Sequence, residues 1–163
     1  MSENLALASR ITESLFELER LVERALRLRD KAMTTGDDGY WDGVALNLHG
    51  FYTGVEQILT DIAQTVDTSV PTGSEWHRDV LLQMSAEVPA VRPPVLTRDT
   101  RRCLDEYRGF RHVVRNVYTF NLRPSRLREL VDDLPECLEA TKRDLTRFLA
   151  FLEQLDRHDE QAE

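Results

Sequence analysis

Apolar positions recur every three or four residues along almost the whole chain, the period of helices that bury one face. Ile11, Leu15, Leu18, Val22 and Ala25 set this rhythm first and predict a helix from about Glu3 to about Met33. The run Thr34-Thr-Gly-Asp-Asp-Gly39 gathers turn formers and ends it. A second helix is expected from about Tyr40 to about Val66, where Val44, Leu48, Phe51, Val55, Ile58 and Ile62 form a seam of the kind helical bundles use. Gly50 and Gly54 lie one turn apart in it. Each weakens a helix, so close packing is the expected reason for both.

The stretch Asp67-Thr-Ser-Val-Pro-Thr-Gly73 reads as a loop, and a short third helix should start near Ser74 and carry Trp76, Val80, Leu81 and Met84. Ser85 to Leu96 holds three prolines and cannot be a single helix. Thr97 is a suitable cap for a fourth helix reaching about Asn121. Pro124 opens the last segment, and Pro135 is expected to kink or interrupt it. Leu134, Leu138, Thr141, Leu145, Phe148, Leu152 and Leu155 continue the spacing, and the polar residues from about His158 should fray. Alternating strand patterns are missing. The expectation is an all-α antiparallel bundle of about five helices, one domain over residues 1–157 with a tail at 158–163.

The chain's 163 residues suffice for a core without staples. Two cysteines, Cys103 and Cys137, make neither a disulfide framework nor a four-ligand zinc site and read as small buried hydrophobes. No apolar run is long enough for a membrane span, and the charged N-terminus does not read as a signal peptide; the expected location is the cytoplasm. No spacing for a metal site, nucleophilic triad or phosphate-binding glycine loop stands out, so no cofactor or metal is expected.

Charge changes the picture more than composition does. Arg92 to Arg128 holds ten arginines against three acids, a local +7 in a chain whose net charge is −8, which leaves −15 on the remainder. An acidic body with one basic stretch suggests a local anion site, and arginine suits phosphate because its planar fork grips two oxygens. The alternative is a salt-bridged helix surface. On the fourth helix Arg108 and His112, Arg111 and Arg115, and His112 and Asn116 each lie four residues apart, which gathers guanidiniums, an imidazole and an amide on one face. Such a face can hold a phosphodiester. Tyr107 is expected to flank it, while Tyr52 with Glu56 reads as packing, His49 as a packed or surface histidine, and His77 as a capping-turn residue in preference to a pocket residue.

Arg111-His-Val-Val-Arg-Asn-Val-Tyr118 resembles the HEPN signature: arginine, a polar residue, three variable residues, histidine, any residue, tyrosine. Asn47-Leu-His-Gly-Phe-Tyr-Thr-Gly-Val-Glu56, Trp76-His77, Arg92-Pro-Pro-Val95 and Arg108-Gly-Phe-Arg-His112 are similar to the HepT-like branch in the same order. The resemblance implies a homodimeric helical bundle whose signature helices face each other. It implies a metal-independent endoribonuclease toxin, in which a 2′-hydroxyl attacks the neighbouring phosphate, with tRNA among the candidate RNAs. It also implies an antitoxin partner, a minimal nucleotidyltransferase (MNT) that can adenylylate the signature tyrosine.

Residue by residue, Arg111 would bind the scissile phosphate, His112 would orient the site, Arg108 and Arg115 would hold RNA, and Tyr118 would be the adenylylation target. Asn116 stands where the pattern expects the catalytic histidine, and an amide does not exchange protons near neutral pH. Nuclease activity is therefore expected to be weakened or lost unless His112, one turn away, supplies the imidazole. The other readings are a non-catalytic module that binds RNA or nucleotide or regulates the partner, and a plain oligomerisation bundle.

Overall fold

The structure is a computed structural model that describes residues 2–116 and 122–162; of residues 112–116 it describes the helical backbone alone. Five α-helices follow one another: α1 (Glu3–Thr35), α2 (Gly39–Ile62), α3 (Trp76–Ser85), α4 (Arg98–Asn116) and α5 (Pro124–Ala162). Among the described residues there is no strand, only an isolated bridge between Val88 and Arg92.

Contacts between helices fix their directions. Gly43, Gly50 and Gly54 of α2 face Leu28, Leu21 and Leu18 of α1, so these two run antiparallel. Ser2 meets Asp156, Lys142 meets Glu19 and Arg29 meets Asp132, so α5 is antiparallel to α1 as well. The Phe51 and Tyr107 rings meet edge to face with centroids 5.5 Å apart, and Glu56 meets Arg111, which sets α4 parallel to α2. The core lies between these helices and holds the predicted seams: Ile11, Leu15, Leu18, Val22 and Ala25 from α1 and the six α2 residues from Val44 to Ile62 are all buried. The close approach is real at Gly54, where an added Cβ would sit 2.8 Å from Leu18 Cδ2, but not at Gly50, where it would meet Leu21 Cδ1 at 3.6 Å.

Ser2 caps α1 by accepting from Leu5 N at 3.1 Å, and Gly36 ends it at φ 71°, a left-handed position that suits glycine. The second helix is α-helical only to Ile62; Ala63–Asp67 widens into a π-turn. Pro135 does not interrupt α5, which is continuous around it. The missing N–H and ring clash cost about 3 kcal/mol. Val131, Leu134 and Leu138 are buried on either side, and at about 1.5–3 kcal/mol each they outweigh that cost.

Two cross-links fix α4. Thr97 Oγ1 accepts from Thr100 N at 3.3 Å as the expected cap, and both Thr97 N and Thr97 Oγ1 donate to the buried Asp144 of α5, at 2.9 and 3.1 Å. One turn on, Cys103 and Cys137 are joined in a disulfide, with Cα atoms 5.9 Å apart. This corrects the reading of both as unbridged hydrophobes: the antiparallel pairing of α4 and α5 brings two distant cysteines within bonding reach. Tyr107 is corrected too. It is buried in the core, its hydroxyl donates to Leu130 O at 2.8 Å, and burial pushes its phenol well above the ordinary range. Among the described residues no helix is long and apolar enough to cross a membrane.

Candidate functional site

The basic stretch divides once the chain is folded. Arg92 is not a surface cation but a core residue, 3% exposed. Its Nε and Nη2 donate to Asp67 at 2.6 and 2.7 Å, Nη1 to Ala86 O and Pro93 O at 2.8 and 3.0 Å, and Nη2 again to Gln83 O at 3.1 Å. It belongs to the strap between α3 and α4. Arg108 pairs with Asp105 at 2.7 Å, and Arg126 with Glu106 and Glu129 at 2.9 and 3.2 Å. Arg98, Arg102 and Arg123 are exposed and Arg101 half-buried, without an ion pair to a described residue. So part of the stretch is a salt-bridged surface, and part remains available to a polyanion. Arg108, Arg123 and Arg126 line a cleft of about 460 Å³ between α4 and the start of α5, with Asp105 and Glu106 on its wall.

Arg111 lies elsewhere. It points inward from α4 to a carboxylate on α2: Nη1 donates to Glu56 Oε1 at 2.7 Å. Glu56 is buried, and its second oxygen, Oε2, lies 2.6 Å from His77 Nδ1, at the start of α3. The guanidinium and the imidazole are themselves adjacent, Arg111 Nη1 being 3.0 Å from His77 Nδ1. A carboxylate only accepts, so against an ionised Glu56 this contact places the ring proton on Nδ1. The Trp76 ring covers the imidazole, with centroids 3.6 Å apart and planes inclined by 31°. Three helices thus deliver one functional side chain each.

Two polar atoms here are buried without a hydrogen-bond partner, Arg111 Nε and the Tyr52 hydroxyl. Burial is the main cause that pushes the Tyr52 phenol far above its ordinary value; Glu56 adds to it, while Arg108 and Arg111 pull the other way. Tyr52 is therefore a neutral wall of the site. Buried Nε is different, because a cationic N–H removed from water calls for an acceptor. On a guanidinium Nε lies beside Nη2, and that edge is the one by which Arg10 and Arg92 each grip a carboxylate in this molecule. In Arg111 the Nε of that edge is buried and has no partner among the described residues.

Of the residues singled out in the sequence, Arg111 and Arg108 are on α4 as expected, one in this cluster and the other in the cleft. His112, Arg115 and Asn116 are on the same helix, with side chains outside the described residues, and Tyr118 lies outside them altogether. Glu56 is buried beside Tyr52 as a packing residue would be, but it also pairs with Arg111, and His77 bonds to Glu56 instead of serving as a capping residue. Their signal was present. Glu56 is a carboxylate beside Val55 on the buried edge of an apolar helix, and it closes one HepT-like segment just as His77 closes another. His49 is half-buried. Among the described residues no group of three His, Cys, Asp or Glu side chains gathers as metal ligands would.

Residues 43–152 match the model of the HepT-like protein family, and the chain belongs to that family. Neither a curated protein nor a solved structure matches it.

Proposed function

We propose that this protein is the toxin of a toxin–antitoxin pair, a homodimeric, cytoplasmic HEPN ribonuclease that breaks RNA phosphodiesters by 2′-hydroxyl attack. The observation that carries the reading is that Arg111, the first residue of the HEPN-like signature, is gathered with an imidazole on a buried carboxylate. In this reading Arg111 meets the scissile phosphate and stabilises the charge that grows on its oxygens, a contact strengthened by exclusion of water. Arg108 and Arg115 hold the flanking backbone, and the exposed arginines of α4 draw RNA to a helix on an otherwise acidic body. The family supports an MNT-type nucleotidyltransferase as antitoxin. An adenylyl group on Tyr118 would put a phosphodiester anion beside those arginines, where it would compete with RNA.

Asn116 favours a second reading, a non-catalytic member that binds RNA or nucleotide, or regulates its partner. One assay separates the two. Total tRNA and a single-stranded RNA are incubated, with EDTA present, with wild type, Arg111→Ala and Asn116→His. Cutting by wild type that Arg111→Ala loses supports the nuclease. Cutting by Asn116→His alone sinks it in favour of the binding module.

A further inference from the structure

The cluster around Arg111 holds a complete acid–base device. His77 Nδ1 lies 2.6 Å from Glu56 Oε2; with the proton of the ring on Nδ1, Nε2 is left as an acceptor. Glu56 is held in turn by Arg111, 2.7 Å away on its other oxygen. Solvent reaches the two partners unequally: the Glu56 side chain is 6% exposed and that of His77 25%. The orienting carboxylate is closed in, and the ring it orients is open. Trp76 fixes the plane of that ring. A base held within hydrogen-bond reach of a third, orienting group is the arrangement by which enzymes activate a hydroxyl. Among the described residues, the charged groups in contact with the ring are Glu56 from α2 and Arg111 from α4.

We propose that His77 is the proton-transferring residue of this site, doing what Asn116 cannot, with Glu56 as its positioning residue. The inference rests on the RNA-cleavage reading above. Nε2 takes the proton of the 2′-hydroxyl, the O2′–P bond forms and the P–O5′ bond breaks. The departing O5′ takes a proton from water, and the imidazolium returns its proton to the hydroxide left behind. The products are a 2′,3′-cyclic phosphate and a 5′-hydroxyl, and no co-reactant is consumed. Arg111 Nη1 lies 3.0 Å from His77 Nδ1, so guanidinium and imidazole share the same carboxylate, Glu56.

The test uses the full chain, with total tRNA as the cleavage probe and a 2′-O-methyl oligoribonucleotide, which cannot be cut, as the binding probe. His77→Asn keeps an amide donor near the Nδ1 position and removes Nε2. It should lower cleavage by about 10²–10⁴-fold, the usual range for a lost acid–base group, and change binding less than about twofold. The acid limb of the pH–rate profile should disappear with it. His77→Ala should recover part of its rate in added imidazole, which a packing role would not produce. Glu56→Gln should slow cleavage about tenfold and displace the acid limb, at unchanged binding.

If His77→Asn cuts tRNA at the wild-type rate, the proposal is overturned and the nuclease reading stands. A His77→Ala variant that is slow but deaf to imidazole also overturns it. If wild type never cuts while Asn116→His does, the nuclease reading fails and takes His77 with it.

Discussion

Among the described residues, Arg92 and Arg111 both turn inward onto a buried carboxylate, and they are used in opposite ways. Arg92 is saturated: both carboxylate oxygens of Asp67 and three backbone carbonyls take up its nitrogens, and Gln83 Nε2 adds a further bond to Asp67 at 2.8 Å. Arg111 spends Nη1 on Glu56 and leaves Nε buried and unpartnered. A saturated arginine is a strut; in the reading proposed above, the incomplete one is the seat for phosphate. Both residues come from the same basic stretch, and in the sequence they differ in nothing but neighbours.

The comparison is broken most directly at the strut. Arg92→Ala leaves Asp67 buried without its cation and should cost about 3–5 kcal/mol in urea or thermal unfolding. A loss below 1 kcal/mol would mean that the strap does not need the pair. Next comes the disulfide that fixes α4 upstream of the site. Reduction, or Cys103→Ser, reopens a 34-residue separation and should cost about 2–4 kcal/mol. A melting temperature indifferent to reductant would deny it that role.

Arg111→Ala should cost less, about 1–3 kcal/mol, because the Arg111 side chain is 18% exposed where that of Arg92 is fully buried, so water can reach the carboxylate it leaves. Its main effect should fall on RNA, seen as lost binding of a labelled oligonucleotide. Equal stability costs for Arg92→Ala and Arg111→Ala would erase the distinction between strut and seat. The smallest effect is a control on the α1–α2 seam, remote from both arginines. Gly50→Ala, with room for its Cβ, should stabilise by about 0.5–1 kcal/mol, whereas Gly54→Ala presses on Leu18 and should gain nothing.

The helices were legible because burial of one face imposes a period that the sequence carries openly. The seams of α1 and α2 are core residues, Val80, Leu81 and Met84 are buried as the short third helix requires, and Thr97 caps α4. The misses have local causes. The end of α2 is a π-turn with the same apolar spacing as an α-helix, so periodicity carried the helix on to Val66. Pro135 reads as a breaker in any short window, and only the packing on both sides of it keeps α5 whole. Tyr107 sits among polar neighbours in the sequence, yet a backbone carbonyl on α5 accepts its hydroxyl inside the core.

The candidate site divides in the same way. Arg111 was legible because a short motif on one helix contains it. Its partners were not, because Glu56 precedes it by 55 residues and His77 by 34, and no helical period links positions on three helices.

The sequence by itself determined the helices, the faces they bury, the concentration of arginine and the family pattern, since each is a matter of residues within a few turns of one another. The tertiary structure alone decided which arginine is a strut and which a seat, that two cysteines meet, and that a histidine at the start of α3 lies against a carboxylate of α2. Those outcomes depend on where helices cross, and the crossing is set by the packing of whole faces rather than by any local run of residues.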